Sequence, residues 1–160
     1  AQLADHLILL DEGSVVGNGK ISEMLTRLDL SLSHGERAAS IIEAKVLEHD
    51  DNYNLTMIDF SGGRFFVPRK QLPIGCDVRL RIEARDVSLT TQRQDETSIL
   101  NILPAIVDEI VDEGDAQVIV RLRAGDDLLL SCITKKSADL LKLQIGKEVY
   151  AQIKSVALLS

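Results

Sequence analysis

At 160 residues with a net charge of −7, 45% hydrophobic residues, only 3% aromatics and no Trp, the chain can build one ordinary domain or two small ones, with cores of Leu, Ile, Val and Ala. The acidic balance argues against nucleic acid, whose phosphates need clustered Lys and Arg, and no apolar run approaches the roughly 18 residues of a membrane span. Cys76 and Cys132 stand far apart and outside any metal-ligand spacing, so they read as a reduced pair of buried thiols and not as a disulfide.

The opening Ala1-Gln2-Leu3-Ala4-Asp5 has no basic n-region followed by an apolar h-region, so it does not read as a signal peptide. With no initiator Met and a start in mid-pattern, the chain reads as a fragment of a longer protein. Leu7 to Leu10, the turn signal Asp11-Glu12-Gly13 and Ser14 to Gly17 predict a hairpin. Gly17-Asn18-Gly19 is expected to break its second strand. Ile21, Leu25 and Leu28 then carry helical spacing across Lys20 to Leu28, and His34-Gly35-Glu36 reads as a linker.

From Ser40 the pattern becomes all-β. Ile42, Ala44 and Val46 alternate with polar residues, as do Leu55 and Met57, and Ser61-Gly62-Gly63 turns the chain into Phe65-Phe66-Val67. Val78, Leu80 and Ile82 give another alternating strand. The same order then recurs: Ala105-Ile106-Val107 matches Ala44-Lys45-Val46, Ala124-Gly125-Asp126 takes the place of the Ser61 turn, and Leu143 to Val149 matches Leu72 to Val78. The chain therefore reads as an internal duplication of a small barrel of about five strands. Either copy alone makes a marginal core, so the two should pack together or assemble further.

The copies differ after their third strand. The second has extra length at Thr134 to Leu141, where Thr134 is a good N-cap and Ala138, Leu140 and Leu141 favour helix. A short helix there turns N–H donors and a partial positive charge toward Thr134. Thr134 and Ser137 add hydroxyls, Lys154 a full charge, Ser155 another hydroxyl, and Ser98 closes the ring. Taken singly, these are a helix cap, a capping-turn residue and a solvated strand lysine. Together they form a set dominated by donors, which suits a fully deprotonated tetrahedral dianion. No phosphate loop of the Gly-x-x-x-x-Gly-Lys-Ser/Thr type is present, so the chain should neither bind nor hydrolyse ATP. His6, His34 and His49 lie outside the second copy, and no nucleophile–base spacing argues for an enzyme. Too few aromatics are present for a stacking groove that holds nucleic acid.

These residues resemble the molybdate-binding barrel module (mop, or molbindin) and the related TOBE domain of transport ATPases. The pattern Ser-x-x-Asn, Thr-x-x-Ser and Lys-Ser is met at Ser98/Asn101, Thr134/Ser137 and Lys154/Ser155, and Val149 to Val156 is close to the module's ending. Arg81 to Leu89 is similar to a TOBE closing strand. Leu3 to Gly19 resembles the final hairpin of an ABC-type ATPase domain.

The resemblance implies the C-terminal regulatory region of a molybdate importer's ATP-binding subunit. The fold would be all-β, with tandem OB-like five-stranded barrels at 34–93 and 94–160 behind a hairpin-plus-helix ATPase remnant at 1–33. It further implies molybdate or tungstate as ligand, held by Ser98, the Ile99 backbone, Thr134, Ser137, Lys154 and Ser155, with the metal entering only as its oxyanion and ATP only in the missing ATPase domain. A homodimer, a membrane permease partner and a cytoplasmic position at the inner face of the membrane, without insertion, complete the expectation. High oxyanion would then slow import. The family usually has Arg at the position of Leu100, and this departure supports the alternative of a ligand-free TOBE dimerisation scaffold.

Overall fold

The computed structural model describes residues 6–11, 14–20 and 38–159. Strands β1 (His6–Asp11) and β2 (Ser14–Lys20) form the expected antiparallel hairpin, with a register shift between Leu9 and Leu10. Gly17-Asn18-Gly19 does not end β2. Gly17 lies opposite Leu9, Asn18 opposite Ile8 and Gly19 opposite Leu7, and continued pairing to a partner strand outweighs the weak strand preference of these residues. Past Lys20, the helix expected up to Leu28 lies outside the described residues.

The remaining strands are β3 (Ala39–Asp50), β4 (Leu55–Phe60), β5 (Gly63–Pro68), β6 (Asp77–Glu83), β7 (Val87–Thr90), β8 (Asn101–Glu113), β9 (Gln117–Ala124), β10 (Asp127–Thr134), β11 (Glu148–Ile153) and β12 (Ala157–Leu158). They make two five-stranded sheets of order β12-β6-β3-β4-β5 and β10-β9-β8-β11-β7. Strand periodicity sorts the side chains as the sequence predicts: Val78, Leu80 and Ile82 of β6, and Val149, Ala151 and Ile153 of β11, are buried, while their neighbours are not. The architecture is the expected all-β pair of small OB-like barrels.

The duplication extends to irregularities. β3 shifts register against β4 between Val46 and Glu48, and β8 shifts against β9 between Val107 and Glu109. At each bulge the backbone bonds the loop before the next strand. Val46 N donates to Cys76 O (3.0 Å) and Gly75 N to Val46 O (2.7 Å); Val107 N donates to Lys147 O (2.9 Å) and Gly146 N to Val107 O (2.8 Å). Gly75 and Gly146 take φ of 89° and 92° to make that contact, a conformation that favours glycine.

Each copy sends its last strand to the other. β7 follows β6 through a 3-10 turn at Ala84–Asp86 and pairs with β11; β12 follows β11 and pairs with β6. A continuous apolar core results, in which Ile42, Ile58 and Leu80 of the first copy join Leu122, Leu129 and Ile153 of the second. The two β-turns also meet. Ser61 Oγ donates to Asp127 Oδ2 (2.8 Å) and accepts from Asp126 N (2.9 Å). Cys76 and Cys132 are not joined in a disulfide, and both are half-buried where the sequence suggests buried thiols.

Candidate anion-binding site

The extra segment of the second copy forms the predicted helix, α1 (Lys135–Leu140), with Thr134 as its N-cap. Thr134 is extended, and its Oγ1 accepts from Ser137 N (3.1 Å) while donating to Ser137 Oγ (3.0 Å). That arrangement leaves the Ser137 hydroxyl hydrogen to point elsewhere. The expected set of free N–H groups at the helix mouth is smaller than the sequence suggests. Lys135 N donates to Ala116 O (2.8 Å) and Ser137 N is taken by Thr134, because the cap and the neighbouring strand end satisfy them.

Lys154 and Ser155 are exposed and directly follow β11. Ser98, also exposed, and Ile99 precede β8. The β8–β11 ladder ends at the pair Asn101 and Ile153, so the segments 98–100 and 154–156 leave one end of the second sheet side by side. Ile99 N–H, expected to face the anion, donates to Thr97 Oγ1 at 3.2 Å. The Lys154 side chain has no hydrogen bond or ion pair among the described residues, and its backbone N–H donates to Asp86 O at 2.9 Å. This lip therefore gathers a cation and two hydroxyls at the crossing between the barrels.

The lip and the helix mouth are built by different elements. Ser131 Oγ of β10 donates to Val87 O (2.6 Å), and Val87 lies opposite Ile153. Thr134 lies three residues farther along β10, about 10 Å of extended strand beyond that row. No side-chain hydrogen bond among the described residues joins Thr134 or Ser137 to Ser98, Lys154 or Ser155. The chain thus presents two half-sets of donors.

Leu100 is 57% exposed beside this lip, an apolar group at the position where the resemblance leads us to expect Arg. In the first copy, Glu83 and Ala84 stand where the second has Lys154 and Ser155. Glu83 pairs with Arg85 (3.0 Å) and Arg81 (3.4 Å), and Ala84 is fully buried.

Asn101 has a role that the motif did not reveal. It is 8% exposed, its Oδ1 accepts from Phe66 N (2.7 Å) and its Nδ2 donates to Phe66 O (3.1 Å). The side-chain amide stands in for a strand on the edge of β5. Its repeat equivalent, Ser40, is fully buried and its Oγ accepts from Leu130 N (2.9 Å). The available signal was a small polar residue at the same place in both repeats, at the head of an apolar strand.

Two surface grooves related by the repeat lie elsewhere. One of 760 Å³ runs between Lys45, Asp59, Asp77 and Arg79 of the first barrel, and its repeat equivalent of 420 Å³ lies between Ile106, Arg123, Glu148 and Tyr150 of the second. In the first, Lys45 Nζ donates to Asp77 Oδ1 (2.6 Å), and this hydrogen bond with its carboxylate charge raises the Lys45 ammonium above its ordinary pKa. Neither groove includes a residue of the two donor sets. Among the described residues no cluster of His, Cys, Asp and Glu is able to hold a metal ion, and no helix is long and apolar enough to cross a membrane.

Residues 97–159 match the TOBE domain. Over 99% of its length the chain is similar to molybdenum import ATP-binding proteins: ModC of Albidiferax ferrireducens (48% identical over 159 residues), ModC of Methylococcus capsulatus (45% over 160) and ModC 1 of Azotobacter vinelandii (46% over 160). It spans 43%, 45% and 44% of those relatives, less than half of each. Among solved structures, the cytoplasmic molybdate-binding protein ModG with molybdate bound superposes with a TM-score of 0.61 at 25% identity, covering 74% of this chain and 94% of that one.

Proposed function

We propose that this chain, whose residues 97–159 match the TOBE domain, is the cytosolic regulatory region of the ATP-binding subunit of a molybdate or tungstate importer. It binds the oxyanion between two copies of itself. The observation that carries this reading is the division of donors into two half-sets. Lys154, Ser155 and Ser98 lie at the barrel crossing, and Thr134 with Ser137 at the mouth of α1, unjoined within one chain. A second copy bringing its helix mouth to the lip completes a cation-plus-hydroxyl cage around one dianion, with the Ile99 N–H exchanging Thr97 for the stronger anionic acceptor. A ligand touched by two chains stabilises the arrangement that joins them, which is how high oxyanion holds the ATPase halves apart and slows import.

In this reading hydrolysis of ATP belongs to the part of the longer protein that the chain does not span. The partners are a second copy and, through the parent subunit, a membrane permease at the cytoplasmic face. Residues 1–33 are the end of the ATPase domain, and 34–93 and 94–160 are the two repeat units.

Isothermal titration with molybdate, tungstate, sulfate and phosphate, run alongside a measurement of dimer mass, tests the reading. Saturable molybdate or tungstate binding that promotes dimers is expected, and Lys154→Ala should weaken it at least about tenfold, the usual weight of a hydrogen bond to a charged group. Unchanged affinity removes Lys154 from the site. A second reading, a TOBE dimer contact without ligand, is favoured by the exposed Leu100. Dimerisation that no anion alters selects it.

A further inference from the structure

The two segments that form the lip are both fastened to the other barrel. Ser98 to Leu100 ends at Asn101, whose amide is clamped on Phe66 of β5 by bonds of 2.7 and 3.1 Å. Lys154 to Val156 runs straight into β12, which lies on β6 opposite Arg81 and Leu80 and is extended by Leu159 N donating to Arg79 O (2.8 Å). Between these anchors Lys154 N–H holds Asp86 O, tying the outgoing crossover to the incoming one. Barrel one has Glu83 and Ala84 at the positions equivalent to Lys154 and Ser155, yet both donor-bearing segments of barrel two are registered against its edges.

We propose that barrel one is the frame that positions the anion lip, with Asn101 as its principal positioning residue and β12 as the second fastening. This rests on the anion site proposed above and adds how its geometry is held. Without the clamp, Ser98 to Leu100 leads from an exposed loop into β8 with the Phe66 backbone unpaired, and donor placement relaxes. A tetrahedral ligand is sensitive to that, since each hydrogen bond weakens steeply with distance and angle. The coupling is reciprocal: if the clamp and β12 improve anion affinity, the anion must in turn protect the clamp and β12 from opening.

The test pairs titration with amide hydrogen exchange on the intact chain. Molybdate should slow exchange severalfold at Phe66 on β5 and at Leu159 beyond β12, neither of which carries a donor of the site. Asn101→Ser, which can keep one bond to Phe66 N–H as Ser40 does to Leu130, should weaken molybdate binding about three- to tenfold, and Asn101→Ala more, at temperatures where both remain folded. A merely structural Asn101 would lower the melting temperature and leave affinity alone. Should Asn101→Ala not fold, the exchange measurement on the unmodified chain and the serine variant decide. Anion binding with unaltered exchange at Phe66 and Leu159, or with affinity unchanged in Asn101→Ser, overturns the frame and leaves the site standing. Absence of any anion binding in the unmodified chain overturns the site, and the frame with it.

Discussion

Lys142 holds φ at +53°, in the left-handed region, directly after the C-cap of α1. Its N–H donates to Asp139 O (3.0 Å) and Leu143 N to Ala138 O (3.1 Å), closing the helix in the way a glycine there would. Lys147 Nζ adds a cation at the same end, bonded to Leu141 O and Lys142 O. Because these bonds use only the backbone of residue 142, Lys142→Gly should keep them and remove the left-handed strain. We expect stabilisation of about 0.5–1 kcal/mol, read as a rise in melting temperature. A fall would mean that the lysine side chain has a role of its own. Single-residue chemistry of this kind was legible in part. Thr134 announces a cap by its type and position. Asn101 does not announce a clamp, because Phe66 is 35 positions away and only folding brings them within 2.7 Å.

Hairpins carry the elements, and their turns do more than reverse direction. The turn after β9 is backed against the turn after β4: a Cβ on Gly125, at φ +61°, would lie 2.4 Å from Ser61 C and 2.6 Å from Gly62 N. Both neighbours are backbone and cannot swing away. Gly125→Ala should therefore cost at least about 2 kcal/mol, the left-handed strain and the clash adding, and lower the denaturant midpoint accordingly. A loss below that would show that the turns part easily. The turn glycines at 62 and 125 are readable as turn formers from sequence; that they abut is not. Strand positions and α1 were likewise legible, since period-2 burial and an N-cap are local signals. Gly17-Asn18-Gly19 misled for the same reason: local preference favours a break, and the partner strand β1 overrides it.

For the molecule as a whole, the reciprocal passage of β7 and β12 makes each barrel incomplete alone. Residues 94–160 by themselves lack β7, the partner of β11, and lack the β5 edge on which Asn101 is clamped. The shared core would also be cut, exposing Leu103, Val107 and Leu122 faces that now meet the first copy's apolar residues. We expect residues 38–160 to unfold in one cooperative calorimetric transition, and residues 94–160 alone to show none. Two separate transitions in the longer piece would mean that the barrels are energetically independent despite the exchange. The repeat boundary near residue 93 is thus proposed as a unit of sequence, and the pair of barrels as the unit of folding.

Alternation of apolar and polar residues, glycine-bearing turns, the duplicated order and the extra helix are all determined by neighbours within a few positions, and sequence alone yielded them. So did the donor-rich character of Ser98, Thr134, Ser137, Lys154 and Ser155, four hydroxyls and one ammonium with no carboxylate among them, which is a property of residue type. Which sheet receives β7 and β12, what Asn101 holds, which N–H groups at α1 are already taken, and the separation of the donors into two half-sets were decided only by the tertiary structure. Those depend on contacts between segments tens of residues apart, and no local preference encodes them.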